Sequence, residues 1–160
     1  MAKEITTAEY RALAELRYCI RKFVRDGDIV ARSAGLEPQQ YLLLLAIRGM
    51  PEGEEPTIRS LAERLALKHQ STVELIDRLE SHGYVRRARS RDDRRRVLVS
   101  LLPRGDQLLE EVAQQRISEL RSSGTAFVNA ISALLEAGRS PRSRKRPRRI
   151  PGSGVKHTRE

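Results

Sequence analysis

Apolar residues between positions 8 and 34 recur at steps of three, four or six, the spacing that lines one face of an α-helix. They are Tyr10, Leu13, Leu16, Ile20, Phe23, Val24 and Val30. The pattern predicts a first helix over residues 8–34. Gly27 interrupts it, so we expect the helix to bend or pause at that glycine, and Gly35 marks its end.

A second helix is predicted from Pro38 to about Arg48, because proline is favoured at the first position of a helix. Its apolar run Tyr41–Ile47 is the longest in the chain and predicts burial of this helix on most sides. The run is about a third of the roughly 18–20 residues that a membrane-spanning helix needs. Glycine and proline recur through residues 49–56, which indicates a loop.

Thr57 can cap a third, short helix, whose inward residues recur at helical spacing. Those residues are Ile58, Leu61, Ala62 and Leu65. A turn at 67–68 separates this helix from a fourth, predicted from about His69 to His82 and ended by Gly83. The apolar face of the fourth helix consists of Thr72, Leu75, Ile76 and Leu79.

Two strands are predicted next, Tyr84–Ala88 and Arg96–Leu101, joined by a turn at 89–95. The second strand alternates, with the apolar residues Val97, Val99 and Leu101 on one face. Pro103 opens a fifth helix, and Ser122-Ser123-Gly124 breaks it before a last helix. The apolar positions of these two helices are Leu108, Leu109, Val112, Ile117 and Leu120, then Phe127, Ala130, Ile131, Leu134 and Leu135.

The predicted order is helix, helix, short helix, helix, hairpin, helix, helix. Two helices joined by a tight turn and followed by a basic hairpin form a winged helix-turn-helix. The predicted fold class is therefore mainly α with a small β-hairpin wing, together with a helical region outside the winged part. Such a domain suits duplex DNA, with the second helix of the pair in the major groove.

The net charge of the 160 residues is +10, and most of it lies near the C-terminus. Residues 139–160 contain nine basic residues and one acid, whereas residues 1–138 have a net charge of only +2. We expect this basic tail to be disordered, and it either binds phosphates or serves only as a solubilising extension. Residues 57–105 carry twelve basic and six acidic side chains, the outline of a face that binds a polyanion.

Candidate contacts to DNA lie first on the outward face of the fourth helix. They are Gln70, Ser71, Val73, Glu74 and Arg78. Glutamine suits adenine, and a valine methyl suits the thymine methyl. The acids Glu74 and Asp77 on the same face either accept from a cytosine amine or face water.

The hairpin supplies the other candidate contacts. It has seven arginines between Arg86 and Arg96, and a projecting turn of this kind can enter the minor groove. The candidates are Asp93, Arg94 and Arg95. Asp93 beside a phosphate backbone makes sense if it fixes Arg95 by a charge-assisted pair and aims it.

Between Leu61 and Gly105 the chain resembles the MarR family of bacterial transcription regulators. The segments that carry the resemblance are Leu61-Ala62-Glu63-Arg64-Leu65, Leu79–Arg87 and Asp92–Leu101, with the Asp-x-Arg pair of the wing as the most specific piece. The resemblance implies a homodimer built from helices 8–34 and 103–138, with residues 38–102 binding DNA. It also implies a near-palindromic operator, half-sites roughly 10 bp apart, and in many members release by a small-molecule effector.

By position, the resemblance makes Asp93 and Arg95 the wing pair and Gln70, Ser71, Val73 and Glu74 the recognition-helix contacts. We expect a sequence-specific regulator of transcription, with repression preferred to activation, on the nucleoid of the bacterial cytoplasm. The alternative is a winged-helix module that binds RNA, or nucleic acid without specificity, through the wing and the basic tail.

The sequence predicts no enzyme activity, metal site or cofactor. Ser-His-Asp, Cys-His, phosphate-loop and zinc motifs are absent, and His69, His82 and His157 are scattered. The single Cys19 cannot form an internal disulfide, and it is either an ordinary part-buried helix residue or a thiol activated by neighbouring basic side chains. Residues 1–5 lead into polar residues, so no secretion signal is expected.

Overall fold

The computed structural model describes residues 4–137. Within this range the chain forms six helices and one antiparallel hairpin of two strands. Their bounds are α1 Thr7–Ser33, α2 Pro38–Arg48, α3 Ile58–Leu65, α4 His69–Ser81, β1 Val85–Arg89, β2 Val97–Leu101, α5 Pro103–Ser123 and α6 Thr125–Ala137. The order and type of these elements confirm the predicted fold class. The basic tail, residues 139–160, lies outside the described residues.

α1 begins with a capping box and continues without a break through Gly27, so the helix does not pause there as the sequence allowed. Thr6 Oγ1 accepts a hydrogen bond from the Glu9 amide at 3.2 Å, and the Glu9 carboxylate accepts one from the Thr6 amide at 2.7 Å. Gly27 is buried, and a Cβ added there would lie 3.2 Å from Nε of Arg116. The glycine therefore makes room for a guanidinium from α5. The predicted end is confirmed, with Gly35 at a φ of +83°.

α2 has the predicted bounds, but the expected burial on most sides is wrong. Its inner face is buried and consists of Gln40, Leu43, Leu44 and Ile47. On its outer face, Leu42 and Leu45 are 48% and 40% exposed. The reason is position, because α2 packs with one side against α1, α3, α5 and β2 while the other side lies at the surface. The continuous apolar run belongs to an amphipathic helix.

α3 and α4 form the predicted helix-turn-helix. Thr57 caps α3, with its Oγ1 accepting from the Ser60 amide at 3.1 Å, and Ala66 makes the turn in the left-handed region at a φ of 52°. The predicted inner face of α4 is confirmed, since its four members are almost completely buried. They are Thr72, Leu75, Ile76 and Leu79. The opposite face of α4 is thereby turned to solvent.

The hairpin is fixed to the rest of the fold at its base. β1 and β2 pair in a register that places Arg87 opposite Val99, and both Val85 and Val99 are fully buried. β2 also contacts the segment before α3, because the Val99 amide donates to the Pro56 carbonyl at 2.9 Å. The backbone of the helix-turn-helix and that of the hairpin are therefore joined directly.

The remaining helices form a unit that we call the helical platform, consisting of α1, α5 and α6. α5 begins beside the hairpin, where Leu109 and Val112 enter the main core, and it continues to Ser123. α6 then turns back along α1, where the rings of Phe23 and Phe127 meet edge to face at 6.0 Å. Within residues 4–137 no helix is long and apolar enough to cross a membrane.

Candidate nucleic-acid interface

The outward face of α4 carries the side chains predicted for the major groove. Gln70, Ser71, Glu74 and Arg78 are exposed, and Val73 is half-buried beside them. Gln70 Nε2 donates to Glu74 Oε1 at 3.3 Å, so these two side chains already hold each other in position along the helix. The arrangement offers an amide, a hydroxyl, a carboxylate and a guanidinium on one accessible surface.

The tip of the hairpin is a compact, hydrogen-bonded turn. The Ser90 amide donates to the Arg96 carbonyl at 2.9 Å, and the Arg96 amide donates to the Asp93 carbonyl at 2.9 Å. Ser90 is buried, and its Oγ accepts from the Asp92 amide at 3.3 Å. This network gives a defined shape to a segment whose other side chains point outward.

Asp93 and Arg95 are in contact, and the better hydrogen bond involves the backbone. Asp93 Oδ1 accepts from the Arg95 amide at 3.0 Å, whereas Nε of the Arg95 side chain lies 3.5 Å from the same oxygen. The Arg95 side chain is 95% exposed. Asp93 therefore shapes the turn that presents Arg95 and leaves most of the guanidinium donors available to a ligand.

Arg87 was not among the predicted site residues, and it joins β1 to α4. Its guanidinium lies 2.6 Å from Asp77 Oδ1 and 2.5 Å from Glu80 Oε2, and it donates to the Val73 carbonyl at 3.2 Å. Its backbone amide donates to Glu80 Oε1 at 2.9 Å. Asp77 faces water, as one of the two expectations has it, with its side chain 58% exposed, and its carboxylate also pairs with Arg87. The sequence did offer a signal for this contact, because Asp77 and Glu80 are two acids three residues apart on α4 and Arg87 follows them on the next strand.

A second arginine of the hairpin is used inside the fold. The Arg96 guanidinium lies 2.5 Å from Oε2 of Glu55, which precedes α3. That oxygen is buried and makes no hydrogen bond of good geometry with the described residues, so the ion pair with Arg96 is what compensates its negative charge. Sequence reasoning missed this pair, since nothing in a loop of acids and prolines distinguishes Glu55 from its neighbours.

Most of the cationic groups of the hairpin that lack an ion pair in the described chain lie toward its tip. Arg89, Arg91 and Arg94 are exposed and have no ion pair within residues 4–137, and Arg86 donates to Ser100 Oγ at 3.3 Å. The positive charge of these arginines therefore faces solvent, on a hairpin whose strand β1 packs against α4. A surface of this kind attracts the phosphates of a duplex.

A cavity of about 500 Å³ lies in the helical platform. Its aromatic lining consists of Tyr18, Phe23 and Phe127. Arg116, 5% exposed, donates to the Phe23 carbonyl at 2.7 Å, pairs with Glu119, and places its guanidinium 4.3 Å from the centre of the Phe23 ring. The cavity thus combines an apolar lining with one buried cation.

Polar groups complete the wall of this cavity. Lys22 Nζ donates to Asp26 Oδ2 at 2.9 Å, and this hydrogen bond raises the pKa of Lys22 and lowers the pKa of Asp26. Cys19 is buried, and its Sγ donates to Glu15 Oε1 at 3.8 Å. Within the described part of the chain, no group of three or more His, Cys, Asp or Glu is arranged to hold a metal ion.

The fold and this surface define a class of protein. An exposed helix of a helix-turn-helix, with an arginine-rich hairpin fixed beside it, is the arrangement of a winged-helix DNA-binding protein. Known proteins that resemble the chain belong to the same class.

Residues 34–96 match the sequence model of the MarR family. The HTH-type transcriptional regulator YsmB of Bacillus subtilis (strain 168) is 27% identical over 121 residues, which cover 76% of this chain and 81% of that protein. A MarR family protein from Bacillus stearothermophilus superposes with a TM-score of 0.64 at 26% identity, covering 86% and 93% of the two chains. S. aureus MepR, solved as a mutant bound to an oligodeoxyribonucleotide, shares the fold with a TM-score of 0.57 at 17% identity, covering 85% and 100%.

Residues 34–96 thus carry the sequence of the MarR family, and the described chain has the fold of MarR family regulators of transcription. The family and these relatives are regulators and not enzymes.

Proposed function

We propose that the chain is a homodimeric repressor that binds a near-palindromic DNA operator. The observation that carries this proposal is the exposed face of α4 lying beside the unpaired arginines at the hairpin tip. α4 enters the major groove and the wing enters the adjacent minor groove, with half-sites roughly 10 bp apart. Occupation of an operator is itself enough to exclude other proteins from it, so repression needs no further activity.

The proposed major-groove contacts are Gln70, Ser71, Val73, Glu74 and Arg78. The proposed wing contacts are Asp93, Arg94 and Arg95. Gln70 is held by Glu74 and presents its amide to base edges, while Arg94 and Arg95 supply cations to a groove of negative potential. We propose residues 1–138 as the regulator body, and the basic tail 139–160 as an added source of phosphate contacts on chromosomal DNA.

The homodimer is supported by apolar side chains that the monomer leaves exposed on the helical platform. They are Tyr10, Leu13, Tyr18, Ile20, Phe23, Val24 and Ile29 on α1, Ile117 and Leu120 on α5, and Val128, Ile131 and Leu135 on α6. Exposed apolar side chains in this number on three adjoining helices indicate a surface for association. A second copy of the chain is the natural occupant, because a two-fold dimer matches a near-palindromic operator.

The proposal is tested by selecting duplexes from a random pool with the full chain and measuring affinity by fluorescence anisotropy near physiological salt. A repressor is expected to prefer the selected duplex over a scrambled one by about 10³-fold or more. The selected sequence is expected to be an inverted repeat. Equal, weak binding to both duplexes, or stronger binding to single-stranded RNA, would favour a module that binds nucleic acid without specificity.

Replacing Arg95 with alanine is expected to weaken binding to the selected duplex by about 1–3 kcal/mol, since a specific groove contact is lost. Arg25→Ala is the matched control, because Arg25 is also an exposed arginine but lies on α1. Anisotropy titrations of both variants measure the difference. Unchanged affinity in a folded Arg95→Ala protein would remove Arg95 from the interface.

The cavity of the helical platform is the proposed effector site. Its volume of about 500 Å³ and its three aromatic side chains suit a small molecule with an aromatic body. Such a molecule releases DNA only if it binds the DNA-free arrangement of the dimer more tightly than the DNA-bound one. The lining comes from all three helices of the platform, so a bound molecule would bias their arrangement directly.

The effector site is tested with 8-anilino-1-naphthalenesulfonate, whose fluorescence rises in apolar sites. Ala126 lines the cavity, and Ala126→Phe is expected to fill it and reduce both dye binding and dye-induced release of operator DNA at least about fivefold. Ala133→Phe is the control, because Ala133 lies on the same helix but outside this cavity. Equal dye binding by both variants would place the dye elsewhere on the protein.

A further inference from the structure

We infer that Arg87 is a positioning residue that fixes the wing to the recognition helix α4, so that DNA meets the two as one rigid unit. The inference rests on the proposed DNA-binding function and adds to it. Arg87 lies on β1, opposite Val99, and is not itself among the side chains proposed to contact DNA. It acts on the interface through the elements that it joins.

The contacts of Arg87 extend along two turns of α4. Its guanidinium reaches the carboxylates of Asp77 and Glu80 at 2.6 and 2.5 Å and the Val73 carbonyl at 3.2 Å, and its amide donates to Glu80 at 2.9 Å. Residues 73, 77 and 80 lie on one stripe of the helix. Because one planar group touches three points along that stripe, it fixes both the distance and the angle between β1 and α4.

This contact differs in kind from an exposed surface ion pair. The Arg87 side chain is 22% exposed and those of Asp77 and Glu80 are 58% and 38% exposed, whereas the side chains of the Arg59–Glu63 pair are 88% and 67% exposed. Screening by solvent is therefore weaker around Arg87, and the second carboxylate limits its freedom further. Lysine cannot replace it, since an ammonium is a point charge without the fork that reaches separate acceptors.

The hairpin has other attachments, and those belong mainly to β2. The Val99 amide donates to the Pro56 carbonyl at 2.9 Å, and Arg96 pairs with Glu55 at 2.5 Å. These contacts hold the hairpin to the segment before α3, so we expect it to stay folded when Arg87 is replaced. What Arg87 adds is the register between β1 and α4, which sets where the wing tip lies when α4 is in the groove.

A double-mutant cycle between Arg87 and Arg95 measures this coupling. The full chain and the duplex that it selects from a random pool are used, with affinity read by anisotropy. Arg95→Ala is expected to weaken binding about 5- to 150-fold in the wild-type background but less than about threefold in the Arg87→Met background. An equal effect of Arg95→Ala in both backgrounds would overturn the inference, because a merely structural residue leaves Arg95 contributing normally in the folded protein.

Arg86→Met is the matched control. Arg86 is the neighbouring arginine on β1, is exposed, and donates only across the hairpin to Ser100 at 3.3 Å. Its replacement removes the same charge without breaking the connection to α4. The effects of Arg86→Met and Arg95→Ala are therefore expected to multiply independently.

Neutralisation of the acids is the competing explanation, and two further variants separate it. Removal of Arg87 leaves Asp77 and Glu80 unpaired near the DNA phosphates, which repel them. Combining Arg87→Met with Asp77→Asn and Glu80→Gln removes that repulsion but does not restore the side-chain link between β1 and α4. The effect of Arg95→Ala is therefore expected to stay small. Arg87→Lys, which keeps the charge, is expected to behave likewise. Recovery of the Arg95 effect in either variant would reduce Arg87 to a neutralising charge.

A measurement without DNA keeps the inference independent of the proposed function. Residual dipolar couplings report the angle between the hairpin and α4 in the free protein. One fixed angle is expected for the wild type and an averaged one for Arg87→Lys. An unchanged angle would refute the positioning role even if DNA binding is confirmed, whereas selection of no duplex by the wild type would refute only the proposed function.

Discussion

Gly105→Ala is expected to lower the free energy of unfolding by about 3 kcal/mol, because the added methyl group clashes with its surroundings although no existing contact is lost. Gly105 is buried in the first turn of α5, against the backbone of Tyr84 at the start of the wing. An added Cβ would lie 2.9 Å from the Tyr84 carbonyl carbon and closer still to its oxygen. The neighbour is backbone, which also accepts a hydrogen bond from the Leu102 amide at 2.9 Å and so cannot move away easily.

Gly53→Ala is the matched control for this substitution. Gly53 has a φ of +83°, but no atom lies within 4 Å of an added Cβ, so only the left-handed backbone opposes the change. That strain costs about 1 kcal/mol. Urea unfolding of both variants followed by circular dichroism gives the comparison. Equal destabilisation of the two would mean that α5 and the wing separate readily at Tyr84.

Val128→Asp is expected to dissociate the dimer at least about 100-fold more readily, with a parallel loss of operator affinity. Val128 is 62% exposed on α6, in the apolar surface of the helical platform. In a two-fold dimer each substitution occurs twice, so two carboxylates lose water in a single interface. Sedimentation equilibrium over a range of protein concentrations measures the change.

Leu42→Asp provides the control for the dimer experiment. Leu42 is 48% exposed on α2 and lies outside the helical platform, so the same chemical change is made on a surface that the proposed dimer leaves free. Its dimer constant is expected to match that of the wild type. A monomeric Leu42→Asp variant, or a dimeric Val128→Asp variant, would place the interface on a different face of the chain.

Local signals predict most of the fold. Pro38 and Gly35 mark a helix start and a helix end correctly, because each acts through its own backbone geometry. The inner face of α4 is predicted from helical spacing alone, because all of its members point into one core. Helix ends of this kind are set by residues close together in the chain, so the sequence alone is enough to predict them.

Contacts between distant segments account for the errors. Gly27 looks like a helix breaker in the sequence, but it makes room for the Arg116 side chain of another helix, and no local pattern reveals that packing. The apolar run of α2 indicates burial, but the surface position of Leu42 is decided by which elements pack around the helix. Helical or strand spacing describes a single element and not what lies on each side of it.

The candidate site follows the same division. The exposure of Gln70 and Arg95 could be predicted, since both lie on faces left over once the core is assigned. Which arginines of the hairpin bind within the protein could not, because Arg87 and Arg96 differ from their neighbours only in the acids opposite them in space. A count of basic residues therefore overstates the charge that is free to meet DNA.

The close contact between Gly105 and Tyr84 also makes α5 a lever arm. α5 has 21 residues and is therefore about 30 Å long, with the wing held against its first turn and the other two platform helices, α1 and α6, packed along the rest of it. A rotation of about 6° at the platform end moves the other end by about 3 Å, close to the rise of one base pair. A dimer built on two such levers can pass from matching its half-sites to missing them without any change in the shape of either winged domain.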